Sequence, residues 1–392
     1  MTVSANTPLS DFPFVIVGAG FFGATLAERI ATQLGMPVCV IDKRDHSGGN
    51  CHSRLDPRTG IEVHQYGTHI FHTKNERVWS YLQSFSAFTR YRHRVLTQYQ
   101  GRTHVMPIGL STINSFYGLN LKPFEVEAFL AAEKTREVFD EPRNLEEKAI
   151  SLIGRPLYEA FIRGYTMKQW QKPCTELPAD IITRLPVRSN YDPYYFTDPY
   201  QGMPVDGYFK IFERMLSHPK IDLRLKTDFR DIRHLIGDKT TVIYTGPIDQ
   251  FFDEKFGVLE YRSLRFETEV LDYEDYQGIS VMNYADPEVP YTRIHEFKHL
   301  HPERADIFNS KQTLIVREYS VGRTAPDQEC YYPVNTARNQ SILKEYQAAA
   351  MPLKNVIFGG RLGQYRYIDM DQTIANALST FDDITKSLSN RG

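Results

Sequence analysis

The chain has 392 residues, of which 41% are hydrophobic and 24% charged, with a formal net charge of -2. This length predicts two or three domains, and the nearly neutral charge excludes a general attraction to nucleic acid. The cysteines Cys39, Cys51, Cys174 and Cys330 lack paired spacing, which argues against a zinc site or a disulfide framework. The start MTVSANTPLSD lacks the features of a signal peptide, and no apolar run approaches the roughly 20 residues of a membrane span. A cytoplasmic protein without a membrane span is expected.

The first elements of the chain predict a βαβ unit over residues 12 to 43. The apolar run FPFVIVGAG is followed by the helix-like FFGATLAERIATQLG and by a second apolar run, MPVCVIDK. Within this unit, GAGFFG places Gly18, Gly20 and Gly23 between strand and helix. Such glycines permit a tight turn, close approach of a pyrophosphate and close helix packing. Asp42 ends the second strand, where a ribose-binding carboxylate belongs. The unit therefore predicts a dinucleotide site.

Two further glycine-rich turns bear on which dinucleotide binds, because GxGxxG alone does not separate NAD from FAD. HSGGN, residues 46 to 50, follows the second strand and suits a cofactor that extends past its first phosphates. The sequence has no second GxGxxG after a strand for a separate nicotinamide nucleotide. GGRLG, residues 359 to 363, precedes a helix predicted to start between Asp369 and Thr373, and a helix N-terminus favours negative charge nearby. Together these features favour FAD.

The middle of the chain predicts a helical segment and then a sheet. Residues 123 to 170 carry two helix-like stretches, EVEAFLAAEKTREVF and LEEKAISLIGRPLYEAFIRGYTMKQW, separated by DEPRN. Residues 180 to 205 are rich in Pro, Tyr and Asp, which indicates a loop or short strands over a cleft. From 259 to 332, runs such as RSLRFETEVLDY and TLIVREYSV predict an antiparallel sheet.

The predicted fold class is α/β: an FAD-binding Rossmann-like domain with an inserted helical domain and an antiparallel β-sheet domain. The discontinuous FAD-binding domain is expected at 12–80, 205–256 and 340–392. The helical substrate domain is expected at 108–172. The sheet domain, with a mobile loop, is expected at 81–107, 173–204 and 257–339.

A series of motifs carries a resemblance to a known family. VIVGAGFFG, HSGGNCH, YGTHIFHT, YTMKQW, DPYQGMPVDGY, REYS and GRLGQYRYIDMD occur in the order seen in bacterial UDP-galactopyranose mutases, between residues 12 and 380. The resemblance implies an isomerase that interconverts UDP-galactopyranose and UDP-galactofuranose with no net redox change. It implies FAD that is active when reduced and that forms a covalent N5 adduct with the sugar. An external reductant, such as NAD(P)H or a flavin reductase, and a homodimer are also expected.

The same resemblance assigns substrate-binding roles by motif. Phe161 and Tyr165, four residues apart on one helix face, resemble the uracil-stacking aromatics, and Trp170 resembles the indole beside the sugar. Arg184, in DIITRLP, and Arg293, in PYTRIHE, resemble two catalytic arginines that grip the diphosphate across the cleft, a task suited to planar guanidinium groups. The remaining predicted substrate-binding residues are Thr166, Tyr195, His93, Tyr319, Tyr367 and Asp369.

His69, in YGTHIFHT, is predicted to lie at the flavin with a catalytic role. His69 and His72 have an i, i+3 spacing that suits metal ligands, but no carboxylate or cysteine completes a set, so no metal is expected. The predicted cofactor-binding residues are Gly18, Gly20, Phe22, Gly23, Asp42, Lys43, Gly49, Asn50, His69, Gly360, Arg361, Asp369, Met370 and Thr373.

One position departs from the family pattern, because Thr68 stands where relatives usually have proline in YGPHIFHT. The preference between galactose and N-acetylgalactosamine nucleotides is therefore open. An FAD oxidase or dehydrogenase of the amine-oxidase-like class would share the glycine motifs, but it would not explain the paired arginines Arg184 and Arg293. A non-catalytic nucleotide-binding module would explain the glycine turns alone.

Overall fold

The computed structural model describes residues 7–182, 187–323 and 328–390. Its strands are, in chain order, β1 (Phe14–Val17), β2 (Val38–Ile41), β3 (Ser53–Leu55), β4 (Glu62–His64), β5 (Phe71–Thr73), β6 (Val95–Tyr99), β7 (Arg102–Met106), β8 (Tyr200–Gly202), β9 (Ile221–Arg224), β10 (Thr241–Tyr244), β11 (Tyr261–Leu271), β12 (Val281–Tyr284), β13 (Arg293–Glu296), β14 (Thr313–Gly322), β15 (Tyr332–Pro333) and β16 (Val356–Phe358).

The helices are, in chain order, α1 (Phe21–Arg29), α2 (Glu76–Gln83), α3 (Leu110–Tyr117), α4 (Val126–Lys134), α5 (Leu145–Ile153), α6 (Arg155–Leu157), α7 (Gly164–Trp170), α8 (Tyr208–Met215), α9 (Phe229–Ile232), α10 (Ile248–Phe251), α11 (Ala305–Phe308), α12 (Ala337–Ala350), α13 (Gly360–Gly363) and α14 (Met370–Ser389). Two π-helical turns, Ile30–Leu34 and Tyr158–Arg163, continue α1 and join α6 to α7.

The first sheet is parallel, with the described strands in the order β16-β10-β1-β2-β9. β1 and β2 read FVIV and VCVI, continuous apolar runs rather than alternating ones, because both faces of this sheet are covered. One face packs against α1 and α14. The other face packs against a smaller cluster that includes Phe12 and Phe229. This doubly covered parallel sheet is the predicted Rossmann-like unit.

The second sheet has the order β15-β11-β14-β13-β12-β6-β7 within the described residues. Its pairings are antiparallel, as predicted, except that β12 runs parallel to β6, with Met282 beside Leu96. β6 precedes β12 by more than 180 residues of sequence, so no hairpin fixes the relative direction of these two strands. The sequence pattern of each strand therefore does not predict this long-range pairing.

The helical segment follows β7 of the second sheet and precedes β9 of the first sheet in the chain. The Asn144 side chain accepts a hydrogen bond of 2.9 Å from the Glu147 amide and starts α5, which places the predicted DEPRN break at a helix cap. α5, the π-helical turn and α7 surround an apolar core that contains Leu145, Ile150 and Tyr158. Across the described residues, the helices include none with the length and hydropathy of a membrane span.

Candidate active site

The first glycine turn opens a cleft at the carboxyl end of β1. Gly18 has a φ of +105°, and a Cβ there would lie 2.0 Å from Thr245 Oγ1, so both conformation and space require glycine. A Cβ on Gly23 would lie 2.0 Å from the Gly18 carbonyl oxygen, which makes the third glycine a condition of helix packing. Gly20 is the N-cap of α1 and has no side-chain cap, so the amides of the first turn face the cleft.

The second glycine turn completes the wall of this cleft. The Gly48 amide donates to the Ala19 carbonyl oxygen over 2.8 Å. A Cβ on Gly20 would meet only backbone atoms of Gly49, at 3.7 Å and beyond. The two turns therefore leave backbone surface open for an extended anionic group. A dinucleotide pyrophosphate fits a cradle of this kind.

Asp42 fixes the position of the first turn relative to β2. Its Oδ2 accepts from the Ala19 amide over 2.8 Å, and its Oδ1 accepts from the Arg44 amide over 2.9 Å. The carboxylate remains on the wall of the cleft. Asp42, at its predicted place at the end of the second strand, therefore also connects β2 to the first glycine turn.

The cleft gathers nearly all the residues predicted to bind the cofactor. Asp369 does not line it, but forms the N-cap of α14 directly beside it. The predicted residues that do line it are Gly18, Gly20, Phe22, Gly23, Asp42, Lys43, Gly49, Asn50, His69, Gly360, Arg361, Met370 and Thr373.

Other wall residues were not predicted because they lie about two hundred positions or more beyond the glycine motif and outside the motifs that were recognised. They follow β9 and β10, whose apolar runs were the available signal, or come from the segment after β14. These residues include Thr227, Asp228, Phe229, Arg230, Tyr244, Thr245, Gly246, Pro247, Gln250, Arg323, Gln328, Glu329 and Cys330.

Arg44 joins distant parts of the cleft wall. Its guanidinium forms an ion pair of 2.5 Å with Glu329 and donates to Asn50 Oδ1 over 2.8 Å. It also lies 4.5 Å from the centroid of the Tyr66 ring. Burial alone would raise the pKa of Glu329, but the hydrogen bond from Arg44 lowers it. The carboxylate is therefore ionised, and the pair ties the second glycine turn to the segment after β14.

His69 lies on the wall of the cleft in a defined tautomer. Its Nδ1 lies 2.7 Å from the Gly67 carbonyl oxygen, which can only accept, so Nδ1 carries the proton. Burial lowers the pKa of His69 to about 4, so the ring is neutral near pH 7. Its Nε2 is consequently a hydrogen-bond acceptor. The side chain can orient a donor, but it is a poor source of protons.

Arg293, at the start of β13, forms the cationic centre of the predicted substrate site. Its guanidinium donates to the Tyr165 hydroxyl, and its Nε lies 3.3 Å from Glu318 Oε1. Burial is the largest single influence and acts to lower the pKa of Arg293, but the combined effects of Glu318, Tyr165 and Tyr332 raise it. Burial likewise opposes ionisation of Glu318, whose pKa the Arg293 charge lowers to about 2. Both groups are therefore charged.

Three predicted tyrosines lie near one another, and one of them, Tyr165, contacts Arg293. Tyr195 lies within electrostatic range of both Tyr165 and Tyr367. Tyr195 and Tyr367 are exposed, at 43% and 58% of their surface, so their rings are available to a ligand. Arg361, which lines the cofactor cleft, lies 4.8 Å from the Tyr367 ring centroid. The aromatic groups therefore connect the cleft to the Arg293 centre.

His93 and Tyr319 border the same region. The Tyr195 amide donates to the His93 carbonyl oxygen over 2.7 Å, and the two rings are 5.9 Å apart. Burial, reinforced by the Arg293 charge, lowers the pKa of His93 to about 3. The Tyr319 hydroxyl donates to Glu267 over 2.6 Å, with Arg265 against its ring. Tyr319 is thus engaged by its own sheet.

Phe161 departs from the expectation of a shared helix face with Tyr165. It lies in the π-helical turn Tyr158–Arg163, whose wider hydrogen-bond spacing changes the angular phase between the two residues. Its ring is 4% exposed and packs 5.1 Å from His104 and 5.3 Å from Phe116. The structure therefore places Phe161 in the helical core, where stacking on a base would require repacking.

Three further predicted substrate-binding residues are Thr166 and Trp170, on the same helical segment, and Arg184, which follows it. Thr166 is buried, at 7% exposure, and the half-buried Trp170 packs against the same helical core as Phe161. Arg184, predicted as the second diphosphate-binding arginine, lies outside the described residues.

The two histidines with a spacing that suits metal ligands, His69 and His72, have separate partners. His72 bonds to Asp198 over 2.6 Å and stacks on Phe196 instead of joining His69. Within the described residues, Asp275, Glu296 and His299 bring ligand atoms within 4.8 Å of one another. Glu296 already accepts bonds from the Tyr276 and Gln277 amides and from Thr313, so these oxygens hold a loop to the sheet.

The parallel sheet and its glycine cradle define a class of protein: a dinucleotide-binding α/β protein, with a candidate substrate site at the arginine and tyrosines against a second sheet. Residues 16–85 match the family of NAD(P)-binding Rossmann-like domains, and residues 160–367 match the UDP-galactopyranose mutase family.

Curated relatives extend this likeness over nearly the whole chain. A probable UDP-galactopyranose mutase of Klebsiella pneumoniae is 43% identical over 96% of each chain. A dTDP-fucopyranose mutase of Escherichia coli is 40% identical over 93% of this chain and 96% of the relative. The chain belongs to the UDP-galactopyranose mutase family. It is therefore an enzyme of the isomerase class, and the family together with the Rossmann domain implies a flavin cofactor.

A solved structure gives the same fold. The crystal structure of reduced UDP-galactopyranose mutase superposes with a TM-score of 0.73 and 16% identity, covering 97% of this chain and 96% of the other. At this identity the likeness bears on the fold alone.

Proposed function

We propose that this enzyme interconverts UDP-galactopyranose and UDP-galactofuranose, with FAD in its reduced form and no net redox change. The observation that carries the proposal is the ionised Arg293–Glu318 pair, with Tyr165 on its guanidinium, beside a cleft suited to FAD. A redox enzyme needs no such anchored cation for a nucleotide diphosphate. A mutase does, because UDP departs and must be held for the reverse step.

The proposed role of Arg293 follows from where charge grows during the reaction. Departure of UDP places additional negative charge on the β-phosphate, and a fixed guanidinium binds that charge more strongly than the ground state. Glu318 holds Arg293 from the side, so little reorganisation accompanies the reaction. Arg184 is proposed as a second phosphate ligand on the strength of its sequence motif.

The residues of the two glycine turns, with Arg361, Met370 and Thr373, would hold FAD. The chemistry that reduced FAD supplies is nucleophilic attack on the anomeric carbon, which the resemblance assigns to N5. His69 Nε2 would accept a hydrogen bond from a group at this wall. The N-terminus of α14 would favour a negatively charged ring nearby.

Tyr195, Tyr319 and Tyr367 are proposed to line the path of the sugar and diphosphate. Tyr195 and Tyr367 present exposed rings with hydroxyl groups that can donate to phosphate oxygens. The proposal also includes the three domain ranges predicted from the sequence, a cytoplasmic location, a homodimer, an external reductant and a role in building cell-surface polysaccharides.

The decisive experiment incubates dithionite-reduced holoenzyme with UDP-galactopyranose and separates the nucleotide sugars by chromatography. UDP-galactofuranose should accumulate to equilibrium without a stoichiometric electron acceptor. UDP-N-acetylgalactosamine and dTDP-fucopyranose are assayed in parallel, the latter because the Escherichia coli relative is named for it. A much higher kcat/KM for either alternative overturns the proposed substrate. Oxygen consumption with an amine or alcohol, and no isomerisation, would instead identify an oxidase.

A further inference from the structure

Thr68 joins the turn beside the cofactor cleft to the sheet that carries Arg293. Its Oγ1 lies 2.6 Å from His295 Nδ1, a contact between residues 227 positions apart. The neighbouring His69 lines the cleft, and His295 lies two residues after Arg293 on β13. Gly67 also approaches this sheet, since a Cβ there would lie 3.3 Å from Glu318 Oε2. The turn and the sheet are thus in direct contact.

The bond on the other side of the His295 ring determines which atom donates. His295 is fully buried, and its Nε2 lies 3.0 Å from Glu318 Oε2. Because Glu318 is ionised, this carboxylate only accepts, so Nε2 carries the proton. In the neutral ring Nδ1 then has no proton and carries a lone pair, so the Thr68 hydroxyl must donate to it. Burial lowers the pKa of His295 against the opposing effect of Glu318, which agrees with a neutral ring.

The surroundings of His295 leave little room for a second arrangement. Val281 pairs with it from β12, the Phe297 ring stacks at 5.5 Å, and the Phe266 ring lies 6.5 Å away. Five charged or titratable groups face His295. Arg293 comes from its own strand and Glu318 from β14, and the others are the histidines His64, His69 and His93.

We propose that Thr68 is a positioning residue: its hydroxyl holds His295 as the neutral Nε2–H tautomer, so that the charge of Glu318 remains directed at Arg293. The role of Arg293 toward a nucleotide diphosphate rests on the proposed function. The state of His295 does not. A threonine at this position is therefore part of the support of the arginine rather than a neutral replacement for proline.

The consequence of losing the hydroxyl follows from the same geometry. Without the hydroxyl, Nδ1 becomes an unsatisfied buried acceptor, and the His295 ring keeps only its bond to Glu318. A ring held at one nitrogen is free to rotate, which weakens the bond from Nε2 to the Glu318 carboxylate that also holds Arg293. The orientation of Arg293, and with it the affinity for UDP, would then weaken.

The test uses oxidised holoenzyme labelled with 15N-histidine, and the His295 imidazole signals are identified by their loss in His295→Gln. Wild type should give a protonated Nε2 and a bare, hydrogen-bonded Nδ1. Thr68→Ser, which keeps the hydroxyl, should preserve both signals. Thr68→Val, which keeps the shape, should move the Nδ1 signal away from its hydrogen-bonded position. Thr68→Ala provides a second hydroxyl-free variant if Thr68→Val does not fold.

A second measurement compares the Kd for UDP among these variants at pH 6 and pH 8. We expect Thr68→Val to weaken binding by about 2- to 10-fold at both pH values, the cost of one lost hydrogen bond. Thr68→Ser should bind as wild type does, and all variants should retain flavin. A wild-type Nδ1 that is protonated, or an unchanged His295 signal in the hydroxyl-free variants, overturns the proposal. If UDP fails to bind wild type, the proposed function fails while the imidazole signals still decide the role of Thr68.

Discussion

The guanidinium of Arg293 donates to the hydroxyl of Tyr165, so the start of β13 and the first turn of α7 meet at one hydrogen bond. These residues are 128 positions apart, and each has a second constraint. Glu318 holds the arginine, and burial raises the pKa of Tyr165 to about 12, so that its hydroxyl keeps its proton. The contact fixes the positions of Arg293 and Tyr165 relative to each other in the absence of a ligand.

Replacing Arg293 by alanine should remove transition-state binding and leave the cofactor in place. We expect kcat to fall by about 10²-fold or more, the usual cost of one preorganised donor. Flavin absorbance per mole of protein should be unchanged, because Arg293 does not line the cofactor cleft. The measurements are kcat with UDP-galactopyranose on reduced enzyme and the visible spectrum of the oxidised enzyme.

The matched control is Arg77→Ala, which removes an arginine whose ion pair with Asp382 is largely exposed. Such pairs contribute little, so turnover should stay near wild type. Normal turnover in Arg293→Ala would exclude this arginine from the site.

Replacing Gly18 by alanine should abolish flavin binding, because the added carbon would lie 2.0 Å from Thr245 Oγ1 and the backbone has a φ of +105°. Gly278→Ala separates the two causes, since Gly278 has a φ of +71° with nothing within 4 Å of a Cβ. This control should lose about 1 kcal/mol of stability and keep its flavin. Equal flavin content in both variants would contradict the steric argument.

Lys168 should contribute to stability by holding the loop between β12 and β13 against α7. Its Nζ lies 2.7 to 3.1 Å from the carbonyl oxygens of Tyr284, Asp286, Val289 and Tyr291, so three N–H donors are shared among four acceptors. Lys168→Met would leave these acceptors without their donor, at a cost of about 2 to 3 kcal/mol in the free energy of unfolding. Urea denaturation measures this change.

Lys172→Met is the control for Lys168, because Lys172 follows the same helix and is exposed. Its free energy of unfolding should match wild type within about 0.5 kcal/mol. Equal stability of the two variants would mean that the loop carbonyls find other donors.

Lowering the pH below about 6.5 should decrease the free energy of unfolding at pH values where the carboxylates are still ionised. The pKa of His93 is lowered to about 3 and that of His69 to about 4, from 6.5. The unfolded chain therefore binds these protons first as the pH falls. The stability is fully present above pH 6.5 and is lost progressively toward pH 4, by about 1.4 kcal/mol for each unit of pKa difference per group.

Urea denaturation at pH 7, 6 and 5 would measure this slope. His93→Asn should flatten it, whereas replacing the exposed His234 by asparagine should leave it as in wild type. A free energy of unfolding that stays constant from pH 7 to pH 5 would contradict the assignment of neutral buried histidines.

Local sequence was sufficient for the features whose causes are local. The glycines at 18, 20 and 23 lie within six residues of one another, and steric limits on that one turn predict the strand, the turn and the helix. Periodicity likewise located β11, β14 and the start of α5. Ordered motifs then supplied the family, because several short matches in sequence order are far more specific than any one of them.

Tertiary structure decided what depends on contacts between distant segments. The parallel pairing of β6 with β12 and the share of the cleft wall formed by Thr245 and Glu329 have no local signature. A π-helical turn moved Phe161 into the helical core, although its spacing from Tyr165 predicted a shared face. Thr68 and His295 are 227 positions apart, and nothing in the residues beside them predicts that they form a hydrogen bond. Hydrogen bonds and ion pairs between such residues depend on geometry at the scale of an ångström, which residue order alone does not contain.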